Sequence, residues 1–209
     1  MIKVMSPPNI SDFYDQLYSS DDKAFNGPPL PLIERLLEYI KTGTVLDFGA
    51  GVGRNSVYLA TKGFQVTAVD ISPTGVSKIK EYSEKNNLNI KTVMADIAKF
   101  NFTESYDVII CMFVLHHLNK EKAFQVIKNM RNHTKPAGYN IITSFTEDGD
   151  FFRNNPETTH FYLKNKTELA ALYADWKTIR LFDKSGQART PTDGEKLSNV
   201  FAGIIARKI

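Results

Sequence analysis

The sequence predicts an α/β fold in which a mostly parallel sheet of seven strands is flanked by helices and ends in an antiparallel hairpin. Short apolar runs rich in β-branched residues alternate with amphipathic stretches in the earlier part of the chain, as expected for strands joined by crossover helices. Two strand-like runs then follow one another across a polar loop. We therefore predict a Rossmann-like sheet, and its antiparallel tail sets it apart from dinucleotide dehydrogenases, whose sheet normally continues parallel.

The first half of the chain contains the clearest alternation of helices and strands. Pro73 marks a helix start, because proline fits the first position of a helix, and Ile79 and Tyr82 fall on the apolar face of that helix. We predict a helix at 31–41, a strand at Thr44–Phe48, a helix at 55–61, a strand at 65–69, the helix from Pro73, and strands at 89–94 and 107–112.

The second half adds one more crossover and the hairpin. A helix at Lys120–Asn132 is followed by Pro136-Ala137-Gly138, which breaks the chain before a fifth strand at 139–145. Thr167 caps a helix that runs to Tyr173. The closing strands are predicted at 177–184 and 197–206.

Length and composition indicate one domain with one site. A chain of 209 residues suits a single domain over 1–209, with 1–41 as its N-terminal helical segment. Hydrophobic residues make up 42% and charged residues 23%, which is typical of a globular protein. The first residues lack the pattern of a secretory signal, and no apolar run reaches bilayer-spanning length, so we expect a cytoplasmic protein without a membrane partner.

Charge and cysteine content exclude several classes of site. Cys111 is the single cysteine and the four histidines are scattered, so neither an internal disulfide nor a zinc site is expected. The net charge of +3 is spread along the chain, which does not favour a nucleic-acid partner. A small-molecule substrate is therefore favoured.

A glycine-rich bend carries the strongest functional signal. The run Asp47-Phe48-Gly49-Ala50-Gly51-Val52-Gly53-Arg54-Asn55 lies between a predicted strand and a predicted helix. Alternating glycines let a ligand lie against bare backbone. The acid that precedes them would repel a pyrophosphate but suits the ammonium of S-adenosylmethionine. We predict cofactor contacts from Asp47, Gly49, Ala50, Gly51, Gly53, Arg54 and Asn55; the alternative is a turn with no ligand.

Two further acids end the next two predicted strands. Asp70, followed by Ile71, is placed to accept both ribose hydroxyls of an adenosine. Asp96 would accept the adenine amino group while Ile97 packs on the ring. The alternatives are turn formation for Asp70 and helix capping for Asp96. Because parallel strands end at one sheet edge, these acids and Asp47 are expected in one crevice.

The fourth predicted strand leads to the acceptor side. Backbone carbonyls near Cys111 and Met112 are candidates for the methionine ammonium, and His116 or His117 for contact with the acceptor or removal of its proton. The alternatives are a structural hydrogen-bonding role for the histidines and a buried core position for Cys111. A methyl on a sulfonium is already activated, so no enzyme nucleophile is needed and S-adenosylhomocysteine is the expected product.

The chain resembles the tellurite-resistance methyltransferase family, TehB-like, within the class I S-adenosylmethionine-dependent enzymes. The resemblance lies in 46–60, in 134–140 and in Ala206-Arg207-Lys208. It implies that Asp47, Gly49, Gly51, Asp70, Asp96 and Ile97 hold the cofactor. It also implies that a segment at 14–25 covers the cofactor as a lid.

The resemblance also implies an acceptor, a tellurite or selenite oxyanion, beside a His-Arg-Thr stretch that reads Ala188-Arg189-Thr190 here. Arg189 would pair with the oxyanion, and its alternative is a solvated loop arginine. The family histidine is absent, and 146–150 also departs from the family pattern. A small organic acceptor on oxygen, nitrogen or sulfur therefore stays open, as do a non-catalytic adenosine-binding module and an NAD-dependent oxidoreductase. We expect a monomer or homodimer.

Overall fold

A computed structural model describes residues 10–19, 27–154, 160–187 and 198–209. The chain divides into two compact units, Met1–Phe100 and Asn101–Ile209. The prediction of one domain over 1–209 stays a prediction.

The first unit is a three-stranded parallel sheet with helices. Its elements are α1 (Ile10–Ser19), α2 (Pro31–Leu36), β1 (Thr44–Phe48), α3 (Arg54–Thr61), β2 (Gln65–Asp70), α4 (Pro73–Lys85) and β3 (Ile90–Met94). The strand order is β3-β2-β1, and both neighbouring pairs are parallel. The carboxyl ends of these strands therefore lie at one edge.

The first strands have apolar residues at successive positions because both of their faces are buried. Val45, Leu46, Phe48 and Val69 are all fully or almost fully buried, which is typical of parallel strands covered on both faces. Helix α4 begins at Pro73, and the Ser72 hydroxyl accepts a hydrogen bond from the Gly75 amide at 3.0 Å. That contact is an N-cap, so the predicted helix start is confirmed.

The second unit combines a parallel pair with the antiparallel hairpin. Its elements are β4 (Tyr106–Met112), α5 (Lys120–Asn132), β5 (Thr134–Phe145), α6 (Asp150–Arg153), α7 (Lys166–Ala171), β6 (Lys177–Gln187) and β7 (Ser198–Arg207). The strand order is β4-β5-β7-β6. Strand β4 pairs parallel with β5, whereas β7 pairs antiparallel with both β5 and β6.

The fold class predicted from the sequence is confirmed. The structure contains a seven-stranded mixed sheet, mostly parallel, with helices and antiparallel C-terminal strands. In the described residues no helix is both long and apolar enough to cross a membrane.

Several element boundaries differ from the prediction by one residue, and β6 extends three residues further, to Gln187; larger differences occur at β5 and α2. Strand β5 begins at Thr134 rather than at 139, because the chain continues through Pro136 with Ala137 in a left-handed conformation (φ 62°). Helix α2 ends at Leu36 because the following bonds join Leu37 to Glu34 and Tyr39 to Leu36, three residues back.

A further difference concerns the cap of α7. Asn165, not Thr167, is the N-cap residue, and its side-chain oxygen accepts hydrogen bonds from the amides of Thr167 and Glu168 at 2.9 and 3.2 Å. Both residue types are good caps, so sequence preference alone does not distinguish them. The helix also ends at Ala171 rather than at Tyr173.

Candidate functional site

The bend after β1 depends on its glycines for a backbone reason. Gly49, Gly51 and Gly53 have φ values of 67°, 60° and 89°, a region in which other residues are strained. The amides of Gly49 and Ala50 donate to the Val69 carbonyl at 2.8 and 3.0 Å. These bonds hold the bend against the end of β2, as the strand–bend–helix prediction requires.

The bend is closely packed on two sides within the first unit. A Cβ on Gly75, at the start of α4, would lie 2.5 Å from the Gly51 carbonyl oxygen. A Cβ on Gly51 would lie 3.0 Å from the Tyr18 hydroxyl oxygen. Both positions are therefore packed too closely for a side chain, and at Gly51 the φ of 60° adds backbone strain for any other residue.

Asp70 connects the bend to the start of α4. Its Oδ2 accepts from the Gly51 amide at 2.7 Å and its Oδ1 from the Ser72 amide at 2.9 Å. Burial raises the pKa of this carboxyl, and the amide hydrogen bonds oppose the rise. The bond from Ser72 is the turn-forming alternative expected for Asp70, and the bond from Gly51 adds a role in shaping the bend that the sequence did not indicate. The contact of Asp70 with ribose stays a prediction.

Asp47 is a second buried carboxylate at the same edge. Its exposed fraction is 2%, and its Oδ2 accepts from the Ser56 hydroxyl at 2.6 Å. Burial raises the pKa of Asp47 to about 7, the Ser56 hydrogen bond lowers it, and the charge of Asp70 adds to the rise. Two neighbouring carboxylates in a buried place favour a bound cation and disfavour a phosphate.

Asp96 lies at the end of the neighbouring strand. The Ala95 amide donates to the Asp70 carbonyl oxygen at 2.9 Å, so Asp96 follows directly at the predicted edge. Its Oδ1 accepts from the Ala98 amide at 2.9 Å and caps a short 3-10 turn at Ile97–Lys99. Ile97 is buried. The capping alternative is therefore present, and contacts with adenine stay a prediction.

The other predicted cofactor residues of this unit have varied positions. Arg54 is exposed at the first position of α3. The Asn55 side-chain oxygen accepts from the Leu30 amide at 3.1 Å, which joins the segment before α2 to α3. The Ile71 carbonyl accepts from the Ser11 hydroxyl at 3.0 Å. The hydrogen bonds of Asn55 and Ile71 join other elements and do not involve the bend. Cofactor contacts of all three residues stay a prediction.

Helix α1 is held against the start of α4. One oxygen of Asp15 accepts from the Ser72 hydroxyl and from the Thr74 amide, each at 2.7 Å. The Lys78 ammonium donates to the Tyr18 carbonyl at 2.6 Å. Because α1 is separated from α4 by more than fifty residues, no sequence pattern indicated this contact.

The side chains of α1 reach the bend. The rings of Tyr14 and Tyr18 lie 5.5 Å apart, and burial together with the charge of Asp70 raises the pKa of both hydroxyls. Within α1, the Tyr18 hydroxyl approaches Gly51 of the bend, and the lid over the cofactor expected at 14–25 stays a prediction. Residues 20–25 lie outside the described part of the chain.

The chemistry of this edge fits S-adenosylmethionine. Carboxylate oxygens at Asp47 and Asp70 match an ammonium and ribose hydroxyls. The same carboxylates oppose the pyrophosphate of a nicotinamide dinucleotide.

The second unit contains a histidine cluster. His116 and His117 lie in a 3-10 turn at Leu115–His117 after β4, with ring centroids 3.9 Å apart. Burial lowers the pKa of His117 to about 4 and holds that of His116 well below its usual range, and the neighbouring histidines add to both shifts. The His116 Nδ1 is buried, and no described residue bonds to it. Both imidazoles are therefore neutral near pH 7.

His160 joins this cluster and was missed by sequence analysis. Its Nδ1 lies 2.9 Å from the His116 carbonyl oxygen, and the following Phe161 amide donates to the Leu118 carbonyl at 2.8 Å. The residues are 44 positions apart, so no local spacing could have indicated the pair.

Aromatic rings surround the histidines. Phe145 meets the His116 ring edge to face at 4.8 Å and lies 5.5 Å from Phe113. Phe201 lies 5.2 Å from Phe113, and Tyr162 lies 6.4 Å from Phe145. The surroundings of the predicted catalytic histidines are thus mostly apolar.

The remaining predicted residues are the buried pair Cys111 and Met112, and Arg189. Cys111 and Met112 are buried at the end of β4, so the core position of Cys111 is confirmed, whereas their carbonyl contacts with a cofactor stay a prediction. Arg189, with Ala188 and Thr190, lies outside the described residues. Within the described part, no group of histidine, cysteine and acidic side chains is suited to a metal ion.

Comparison with known proteins identifies a family and several relatives. The family model described as tellurite resistance protein TehB matches residues 31–205. A relative from Haemophilus influenzae, named probable S-adenosyl-L-methionine-dependent methyltransferase TehB, is 36% identical over 165 residues, which are 78% of this chain and 57% of the relative. The chain thus spans a little over half the length of the curated relatives it matches first.

Solved structures show the same fold. The crystal structure of TehB from Haemophilus influenzae matches with a TM-score of 0.75 and 30% identity, covering 95% of this chain and 67% of that one. The N-methyltransferase NodS from Bradyrhizobium japonicum, solved with S-adenosylhomocysteine, matches with a TM-score of 0.68 and 18% identity over 92% and 98% of the two chains. By its sequence match, this chain belongs to the TehB family of S-adenosylmethionine-dependent methyltransferases.

Proposed function

We propose that this chain transfers a methyl group from S-adenosylmethionine to a small acceptor. The observation that carries the proposal is the pair of buried carboxylates, Asp47 and Asp70, packed against the glycine bend at the carboxyl edge of a parallel sheet. Family membership supports the same chemistry.

In this proposal the first unit binds the cofactor. Backbone from Gly49 to Gly53 lies against the methionine part, and Asp47 supplies the negative charge for its ammonium. Asp70 accepts from the ribose hydroxyls while it keeps the bend in shape. Asp96 and Ile97 contact the adenine. The assignment of carbonyls near Cys111 and Met112, in the second unit, to the cofactor ammonium stays a prediction.

The histidine cluster would act on the acceptor. When bound, the cofactor supplies an activated methyl on a sulfonium. Burial holds the pKa of His116 low, so its imidazole is neutral near pH 7 and has an unprotonated ring nitrogen, but the same shift makes it a weaker base. It would accept a proton from an acceptor that becomes strongly acidic as the methyl is transferred. His117 is neutral for the same reason. His160, through its bond to the His116 backbone, would fix the position of the turn.

Two classes of acceptor follow from different observations. A tellurium or selenium oxyanion is the first candidate, supported by the family, and Arg189 would pair with it. A small organic acceptor is the second candidate, because the aromatic rings and neutral imidazoles around His116 suit an uncharged group better than an anion. A cytoplasmic location and a monomeric or dimeric state are part of the proposal.

Turnover tests the proposal. Purified protein is incubated with S-adenosylmethionine and, in turn, tellurite, selenite and a panel of small alcohols, amines and thiols, and S-adenosylhomocysteine is quantified. Acceptor-dependent product supports methyl transfer and identifies the class. Tight binding of S-adenosylmethionine with no product across the panel contradicts it and favours a binding module. Binding of NAD in its place favours an oxidoreductase.

A further inference from the structure

A groove on the second compact unit lies between helix α5 and the residues that join α7 to β6. Its volume is about 640 Å³, which is in the usual range for small-molecule sites. Its lining residues differ from all those proposed above for cofactor or acceptor. It is therefore a separate feature of the molecule that the methyl-transfer proposal does not use.

One face of α5 gives the groove both apolar and cationic surface. Phe124, Ile127, Lys128 and Arg131 line it, and their spacing of three, four and seven residues places them on one side of a helix. The two apolar residues precede the two cations along that side. A ligand in the groove would therefore meet apolar surface at one end and positive charge at the other.

Trp176 lines the same groove together with two cations. The guanidinium carbon of Arg131 and the Nζ of Lys208 each lie 5.8 Å from its ring centroid. Lys208 is fixed by donating to the carbonyls of Arg131 and Thr134 at 3.0 and 2.7 Å. The position of both charges is thus set by the fold.

The charges that line the groove do not cancel. Lys128, Arg131 and Lys208 face one carboxylate, that of Asp175, which forms an ion pair with Arg131. Carbonyl partners orient Lys208 but leave its charge in place. The positive excess favours an anion, and charge-assisted hydrogen bonds to carboxylate or sulfonate are the strong kind.

We propose that this groove binds a small organic anion with a flat aromatic ring. The ring would lie against the groove-lining atoms of Phe124, Ile127 and Trp176, and the anionic group would face Lys128 and Lys208. The inference does not depend on the proposed methyl transfer, so the two can fail separately.

The chain's single tryptophan makes the test specific. In an amide spectrum of ¹⁵N-labelled full-length protein, one indole N–H signal reports on Trp176. The probe is 2-naphthoate, and its control is 2-naphthamide, which has the same ring and no charge. We expect a saturable shift of the indole signal with 2-naphthoate and binding of 2-naphthamide weaker by about fivefold or more. No indole shift, or equal affinity for both, would overturn the proposal.

A pair of charge reversals gives the matched control. Lys128→Glu should weaken 2-naphthoate binding by about fivefold or more. Lys62→Glu makes the same change at another exposed lysine, whose Nζ lies 5.2 Å from the Tyr58 ring in the first unit, and should leave the affinity unchanged. If both variants weaken 2-naphthoate binding equally, binding depends on net charge alone, and the proposed site is wrong. Amide dispersion verifies that each variant is folded, and the comparison of the two probes needs no variant.

Discussion

Replacing Asp47 by asparagine should remove a pH dependence of stability that this one carboxylate causes. Its pKa rises from 3.8 to about 7 in the folded chain, chiefly through burial. Between those values the folded protein keeps a proton that the unfolded chain has released. The free energy of unfolding therefore falls as pH rises through this window and levels off above about 7.

The size of the effect follows from the shift. Each pKa unit corresponds to about 1.4 kcal/mol, so between pH 5 and pH 8 the carboxylate lowers the free energy of unfolding by up to about 3 kcal/mol. Because the protein relaxes around the buried charge, we expect a fall in the free energy of unfolding between about 1.5 kcal/mol and this upper limit of about 3 kcal/mol. In Asp47→Asn the fall in the free energy of unfolding from pH 5 to pH 8 should be smaller by that amount, because asparagine does not titrate.

Urea unfolding of both proteins at pH 5 and pH 8 measures this difference, and titrating groups common to both cancel. Ser56→Ala is the opposite control. It removes the hydrogen bond that opposes the rise of the Asp47 pKa, so its fall in stability between the two pH values should be larger than that of the wild type. Equal pH dependence in wild type and Asp47→Asn would refute the assignment of a raised pKa to this carboxyl.

Four further perturbations test individual residues. Asp70→Ala should weaken S-adenosylmethionine binding by about 1–3 kcal/mol by calorimetry, because hydrogen bonds to a charged group are lost; unchanged affinity would remove this residue from the site. Gly51→Ala should lower the free energy of unfolding by about 1–2 kcal/mol in urea, because its φ is +60° and its Cβ meets the Tyr18 hydroxyl; a variant as stable as the wild type would contradict the described bend. Asp15→Ala should speed amide hydrogen exchange in α1 and leave β1 unchanged, since two hydrogen bonds to the start of α4 are lost; equal protection of α1 would show that these bonds do not hold it. His116→Gln should reduce methyl transfer at least about tenfold with cofactor affinity retained, and full activity would exclude it as the proton acceptor.

Much of the fold was predictable because its signals are local. Thr44–Phe48 and Lys120–Asn132 have the predicted bounds, since apolar periodicity and flanking breakers mark strands and helices directly. The predicted start of β5 was wrong because Ala137 adopts a left-handed conformation, which lets the strand continue past Pro136. A sequence pattern does not reveal such a conformation.

The site was predictable only in part. The glycine bend and the acids that end β1, β2 and β3 follow from strand periodicity, because parallel strands end at one edge. The bond from the Gly51 amide to Asp70, the contact of Asp15 with α4 and the approach of His160 to His116 all join residues far apart in sequence. Such contacts depend on how the elements pack.

The most direct test of the cofactor site is a crystal structure of the protein with S-adenosylhomocysteine. We predict density along the bend from Gly49 to Gly53, with the ribose hydroxyls on the Asp70 carboxylate and the adenine against Ile97. Density for the ligand at another place, with these residues contacting only each other, would contradict the account.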